Sequence, residues 1–239
     1  MVSLITIVLP YYENAGMLPI QLAAWQEASD AFSYLIVDDG SPDFPALDNL
    51  STDLADALGD RLAVYRVQVD IPWNQHGARN LGAQQATSPW LFMCDMDNVV
   101  PPETARQMLA LPLDDATGKT TYYKFPTRIS ATKTKGPPFN IFMCTREAYW
   151  ETGGYDEDYS GTYGGDGPFL RALGKRRELV VPEDVFVTSY SRAKVPQAST
   201  TRYDREHYRE LCRLRYLDKV ERKDLVPCNP IRFPWSRVR

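Results

Sequence analysis

The sequence predicts an α/β fold, a mixed and mostly parallel sheet flanked by helices, with a basic C-terminal helix and tail. Three observations predict it. Residues 4–9, 34–37 and 90–94 are short apolar runs rich in β-branched and aromatic side chains, the composition of strands buried on both faces. Each run stops at turn formers or acids: Pro10-Tyr11-Tyr12, Asp38-Asp39-Gly40-Ser41-Pro42 and Asp95-Met96-Asp97. Helical spacing follows the first, at Leu18, Leu22 and Trp25, and parallel strands need such crossovers.

In chain order, residues 4–9 read as a first core strand; the basic start and small-residue cleavage site of a secretory signal are missing. Residues 62–69 supply a third strand, and residues 78–86 are helical, between a turn at Asn74 and Gly77 and a stop at Ser88-Pro89. The strand at 90–94 runs into Pro101-Pro102, which cannot continue a ladder. Residues 103–120 read as a helix and linker, and 120–125 as a strand. Residues 129–138, with Lys133, Lys135, Gly136 and two prolines, read as a mobile loop. A strand at 139–144 leads into a short helix at 145–150 capped by Thr145. Residues 169–173 are helical, and 179–181 and 185–187 are short strands. The last helix, 200–223, takes Thr200 or Thr201 as its cap and has Tyr208, Leu211, Leu214 and Leu217 as its apolar positions. Arg202, Arg205, Arg209 and Arg213 lie on another of its faces, and the tail from 227 extends over the body. Residues 1–195 form one domain with halves at 1–100 and 101–195, and residues 196–239 pack on it.

With 239 residues, 44% of them hydrophobic, the chain can bury a sizeable core. No run approaches the roughly 20 apolar residues of a membrane span. Cys94, Cys144, Cys212 and Cys228 are scattered without a C-x-x-C pair, which argues against a zinc site and places the chain in a reducing cytoplasm. Charge is unevenly spread. Residues 1–170 hold 10 Lys/Arg against 22 Asp/Glu, residues 171–239 hold 17 against 9, and the total is −4. The basic C-terminal part suits an anionic partner, or a membrane surface met peripherally, as well as it suits a solvated helical face.

The chemistry concentrates at the strand ends. Asp95 and Asp97 sit two residues apart where an extended strand stops, so both carboxylates project to one side. Like charges so placed repel unless a cation or shared proton lies between them. Mg²⁺ or Mn²⁺ fits, since these ions take one or two carboxylates plus phosphate oxygens. In an open α/β sheet, Tyr12, Asp39 and Asp95 would gather at the carboxyl ends of the strands, where ligands bind. Arg79, in the first turn of a helix, opposes the helix dipole; it reaches an anion across the site or pairs Asp38 or Asp97. His76 reads as a loop histidine. Residues 152–169 hold six glycines and four acids, the freedom a chain needs to approach a ligand. Asp166 within them is a candidate base, or an N-cap of the helix that follows.

The order of these motifs resembles nucleotide-sugar glycosyltransferases of the GT-A fold, the inverting family 2 type. Ile5-Thr-Ile-Val-Leu-Pro-Tyr-Tyr12, Val37-Asp-Asp-Gly-Ser41, Ala78-Arg-Asn-Leu-Gly82 and Asp95-Met-Asp97 carry the match. The Gly-Gly-Tyr and Tyr-Gly-Gly-Asp stretch within 139–171 is most similar to galactosyltransferase-type members. The resemblance implies a nucleotide-binding first half and an acceptor-binding second half. Pro10, Tyr12, Asp38 and Asp39 would form the nucleotide site, with Tyr12 against a uracil-like base and Asp39 hydrogen-bonded to it. Arg79 would lie near the diphosphate, Asp95 toward the ribose or metal, Asp97 on the metal, and Asp166 at the acceptor hydroxyl as general base.

Two departures matter. The family writes Glu-Asp after the glycines where this chain has Asp166-Gly167, which leaves Asp156 or Asp158 as alternative bases. Related members carry a metal-binding histidine before Ser-Arg where this chain has Tyr190-Ser191-Arg192, and His207 is the histidine that would replace it. The implied activity is metal-dependent inverting transfer from a UDP-sugar to a hydroxyl on a glycan, a lipid-linked sugar or a modified DNA base. The competing reading is a catalytically inactive nucleotide-sugar or carbohydrate-binding module, which Gly167 and Tyr190 favour. A nucleotidyltransferase would need a glycine-rich basic signature after the first strand, and Pro10-Tyr-Tyr-Glu-Asn14 is not one.

Overall fold

The computed structural model describes residues 3–113, 121–200, 202–227 and 231–239. The first half alternates as expected: β1 (Ile5–Tyr11), α1 (Leu18–Gln26), β2 (Phe32–Asp38), α2 (Thr52–Leu58), β3 (Leu62–Val67), α3 (Gln75–Gln85) and β4 (Trp90–Met93). Then come β5 (Asn98–Val99), α4 (Pro102–Leu109), β6 (Thr121–Tyr123), β7 (Thr127–Ser130), β8 (Lys133–Lys135), β9 (Phe142–Thr145) and α5 (Arg146–Glu151). The chain finishes with α6 (Asp166–Gly174), β10 (Glu178–Val180), β11 (Val187–Ser189), α7 (Arg205–Glu221) and β12 (Trp235–Arg237).

Among the described residues, eight strands form one sheet in the order β10-β6-β9-β4-β1-β2-β3-β12. Its centre, β4-β1-β2-β3, is parallel, whereas β9 and β12 join it antiparallel. A second sheet runs β5-β11-β7-β8. Alternation along β1 divides the core into two layers. Ile5, Ile7, Leu9 and Tyr11 pack with Leu18, Leu22 and Trp25 of α1 and with Ala105 and Met108 of α4. Val8 faces the opposite layer, with Ala78 and Leu81 of α3 and Phe169 and Leu173 of α6. Tyr11 pairs with Asp38 and Val8 with Met93, so the strand ends that carry the acids lie level on one edge. Helix α3 approaches β1 closely because position 82 is glycine: a Cβ there would meet Val8 Cγ1 at 2.3 Å.

Several local expectations change. Residues 129–138 hold strand β8 and the end of β7, an antiparallel hairpin; its exposed lysines suit an edge pair that must not attract another chain. Helix α7 is capped by Asp204, whose side chain accepts from Glu206 N at 2.9 Å, and not by Thr200; Thr201 lies outside the described residues. The apolar stripe of α7 is not its buried face, for Leu214 and Leu217 are 49% and 47% exposed. Polar partners select the face instead. Arg215 donates to the carbonyl of Ser160 at 2.9 Å, and Lys219, 1% exposed, reaches Asp156 at 2.7 Å and Asp158 at 2.8 Å. The tail does more than cover the body. Its β12 pairs with β3, and Glu157 accepts from Ile231 N and Arg232 N. Part of the linker before β6, with Thr120, and Cys228 lie outside the described residues; Cys94, Cys144 and Cys212 are free thiols. Among the described residues no helix is long and apolar enough to cross a membrane.

Candidate active site

A cavity of about 380 Å³ opens at the carboxyl ends of β1, β2 and β4. Pro10, Tyr12 and Asp39 line one end, Asp95, Asp97 and Asn140 the floor, and Asp166 the far wall. Trp73, Tyr163, Tyr203 and Arg205 complete its rim. Trp73 holds a backbone φ of 54°, uncommon for a bulky side chain and often found at ligand sites. Its ring meets Tyr163 edge-on at 4.6 Å, and its Nε1–H has no acceptor among the described residues.

Arg79 organises the floor from behind. Its guanidinium is 0% exposed and absent from the cavity wall. One nitrogen donates to Asp95 Oδ1 at 2.6 Å, and the other to Asp166 Oδ1 at 2.6 Å and to the Tyr155 hydroxyl at 2.7 Å. Tyr155 in turn donates to Asp166 Oδ1 at 3.0 Å. The anions that the α3 arginine reaches are therefore two of the chain's own carboxylates, and neither is Asp38 or Asp97. Asn80, next to it, pins the glycine-rich segment: its Nδ2 donates to Tyr155 O and Glu157 Oε1, and its Oδ1 accepts from Tyr155 N, each at 2.8 Å.

Three of the four acids that line the cavity, Asp95, Asp97 and Asp166, have distinct electrostatics. Burial raises the Asp95 carboxyl while Arg79 and Asn140 oppose that shift; both of its oxygens accept from these two side chains. Asp97 accepts from Asn98 at 2.6 Å, and burial with the neighbouring Asp95 charge pushes it up to about 7. For Asp166, burial works to raise the carboxyl, yet the charge of Arg79, with His76 and Tyr155, holds it below its ordinary value. Both donors, Arg79 and Tyr155, fall on Asp166 Oδ1, and Oδ2 has no partner among the described residues.

Residues 6–169 match the family model described as Glycosyl transferase family 2. The chain belongs to that family. Among curated relatives, the validoxylamine A glucosyltransferase of Streptomyces hygroscopicus subsp. jinggangensis (strain 5008) is 30% identical over 122 residues, 49% of this chain and 28% of that protein. The chain thus spans just over a quarter of that relative. Among solved structures, S. aureus TarS 1-349 aligns with TM-score 0.63 at 13% identity, over 87% of this chain and 68% of that one. The mannosyltransferase PcManGT from Pyrobaculum calidifontis, in complex with GDP-Man and Mn²⁺, aligns with TM-score 0.61 at 16% identity, over 96% of this chain and 66% of that one. At these identities the structures show a shared GT-A fold.

In this family 2 chain the expected residues part company. Pro10, Tyr12, Asp39, Asp95, Asp97 and Asp166 meet in the cavity. Asp38 does not: its Oδ1 accepts from Ser41 N at 2.8 Å and its Oδ2 from Ala46 N at 2.9 Å, so it shapes the loop behind Asp39. Asp39 accepts from Asn74 Nδ2 at 2.8 Å, and burial raises its carboxyl well above the ordinary value. Asp156 and Asp158 turn to Lys219, and of these three candidate bases Asp166 is the one that lines the cavity. Asp166 is the first residue of α6, after Gly165, and makes no cap bond. His207 stands exposed on α7 against Tyr208 and lines no part of the cavity, whereas Arg205, two residues earlier, does.

His76 belongs to α3 rather than to a loop, is fully buried, and keeps both ring nitrogens without a partner among the described residues. Burial pushes it down to about 4 although Asp166 pulls the other way. A Cβ on Gly165, where φ is +95°, would come within 2.2 Å of its Nε2. The imidazole is thus the surface on which the Gly164-Gly165-Asp166 turn rests. Sequence reasoning also missed Asn140 and Tyr155, and it named Arg205 only within the basic face of the last helix. Two earlier signs existed: an asparagine just ahead of the β9 strand, and an arginine inside the basic series of α7.

Proposed function

We propose that this chain is a metal-dependent inverting glycosyltransferase that moves a sugar from a nucleoside diphosphate sugar, UDP-linked, to an acceptor hydroxyl. The observation that carries this reading is that Asp39, the Asp95/Asp97 pair and Asp166 share one cavity while buried Arg79 fixes Asp95 and Asp166 from behind. Tyr12 offers its ring to a nucleobase, and Asp39 is a buried acceptor for the base's N–H. Arg205, over Trp73 and Tyr163 at 5.7 and 5.3 Å, has its guanidinium available to the diphosphate.

The residues fit a divalent cation. Asp95 and Asp97 line the same cavity, and burial with the Asp95 charge pushes the Asp97 carboxyl up to about 7, a cost that a bound cation would relieve. Such a site leaves most positions to water and phosphate, as Mn²⁺ or Mg²⁺ prefers. Asp97 would hold the ion, oriented beside Asp95, and the ion's chemistry there is to offset the negative charge developing on the diphosphate. Asp166 Oδ2 takes the proton of the acceptor hydroxyl as its oxygen bonds to the anomeric carbon. The bond to the diphosphate breaks on the opposite face, and a single displacement inverts the centre. Arg79 keeps Asp166 ionised and aimed throughout.

The reading is tested by thermal unfolding against a panel of nucleotides and nucleotide sugars, with and without Mn²⁺. A ligand that binds only the folded state at a hundredfold excess over Kd stabilises by about 2.7 kcal/mol. A metal-dependent rise with one nucleotide sugar is expected, and no rise with any nucleotide would overturn the donor site.

A further inference from the structure

A second cavity, about 360 Å³, lies between the glycine-rich turn, α6 and α7. It adjoins the first, because Tyr163 and Gly164 line both. Its walls are unlike those of the donor cavity: three tyrosines (Tyr159, Tyr163, Tyr216), three arginines (Arg171, Arg209, Arg213) and no carboxylate. Arg213 is held by Glu210 at 2.6 and 2.8 Å. The other two are not held by an acid among the described residues; Arg171 lies 5.7 Å over Tyr216 and Arg209 5.4 Å over Tyr163. Elsewhere on this segment the arginines are engaged, Arg215 with carbonyls, Arg222 with Asp218 and Arg232 with Asp158. Two guanidiniums lying over phenol rings in this second cavity keep their planar donors for an outside anion.

Resting on the proposed function, we infer that this cavity is an acceptor subsite for a saccharide that carries a phosphate or carboxylate group. The volume lies at the low end of small-molecule sites, enough for a mono- or disaccharide. Tyrosine faces supply rigid apolar area with polar tips for sugar rings, and Arg171 and Arg209 bind the charged substituent. Its position follows from α6: Asp166 opens the helix that carries Arg171, so a sugar anchored at the arginines presents a neighbouring hydroxyl toward Asp166. A nucleic-acid backbone suits the site less well. Helix α7 carries five basic and four acidic residues interleaved along Arg205–Glu221, which breaks any continuous basic track.

The test uses the full chain, with glucose 6-phosphate, glucuronate, glucose and inorganic phosphate titrated calorimetrically at low salt, into the wild type and an Arg171→Gln/Arg209→Gln variant. At least tenfold tighter binding of one or both anionic sugars than of glucose is expected, with a tenfold or greater loss in the variant. Whether the phosphate or the carboxylate binds better identifies the charged group, and either supports the subsite. Equal binding of glucose and the anionic sugars overturns it. So does inorganic phosphate binding as tightly as glucose 6-phosphate, or a variant that binds like wild type. A duplex oligonucleotide that binds with steep salt dependence and is lost in the variant would reassign the cavity to nucleic acid. Nucleotide-dependent stabilisation is read in the same samples: if it is present and sugar discrimination is not, only the subsite falls, and if it is absent the donor reading falls whatever the sugars do.

Discussion

The Arg79 guanidinium donates to the carboxylate of Asp166 at 2.6 Å, across 87 residues of sequence. The same side chain holds Asp95 at 2.6 Å, so one buried cation links two acids that line the cavity. Replacing it strands two acids. Arg79→Met is expected to cost about 3–5 kcal/mol of stability, the usual penalty for breaking a buried ion pair, and to abolish turnover. Arg79→Lys keeps the charge but loses the two-nitrogen geometry, so it should fold while kcat still drops by a large factor. Denaturant melts and donor turnover on both variants check this; an active Arg79→Met would contradict it.

Asp97 gives a pH signature. In the metal-free protein its carboxyl is raised from 3.8 to about 7, so the folded state holds a proton that the unfolded state has lost. That contribution to stability is complete below about pH 4 and disappears as pH rises through about 7. Asp97→Asn should flatten this part of the stability profile relative to wild type. Mn²⁺ needs the deprotonated carboxylate, so its affinity should weaken as pH falls below about 7. Calorimetric melts across that range, with and without Mn²⁺, measure both.

Gly165 and His76 make a steric pair. Gly165→Ala places a methyl against the imidazole at a backbone conformation that alanine adopts poorly. The turn carrying Asp166 must shift, so kcat should fall by tenfold or more with nucleotide affinity little changed. Adding His76→Ala to Gly165→Ala should recover part of the rate, because it removes the obstacle. Nucleotide binding and turnover for the single and double variants decide the matter.

Lys219 is the lock between α7 and the acid-rich segment. Lys219→Met leaves Asp156 and Asp158 facing each other without their shared cation. A loss of about 3–5 kcal/mol is expected, read as a lower denaturant midpoint. An unchanged midpoint would mean that other partners suffice.

The half of the site built from strand ends was legible in the sequence. Tyr12, Asp39, Asp95 and Asp97 follow short apolar runs, and level strand ends bring them together without any long-range detail. What could not be read depended on partners distant in sequence. Arg79 meets Asp166 rather than Asp38 or Asp97, because Asn80 and Tyr155 bring the glycine-rich segment over α3. The buried face of α7 could not be read either, because Lys219 and Arg215 turn inward to acids and carbonyls, which outweighs the leucine stripe. His207 and Asp38 were plausible by residue type and misplaced by direction: one faces solvent, the other its own loop.

The central claim is that Asp166 is the base of an inverting transfer, and proton NMR of donor turnover tests it most directly. Nucleotide sugar is followed in wild type and Asp166→Asn, with water or an added acceptor taking the sugar. The account predicts a first-formed product of inverted anomeric configuration. It also predicts a rate in the variant lower by about 10²–10⁴-fold, the usual contribution of general acid–base catalysis, with nucleotide affinity retained. A wild-type rate in Asp166→Asn, or a product of retained configuration, would contradict it.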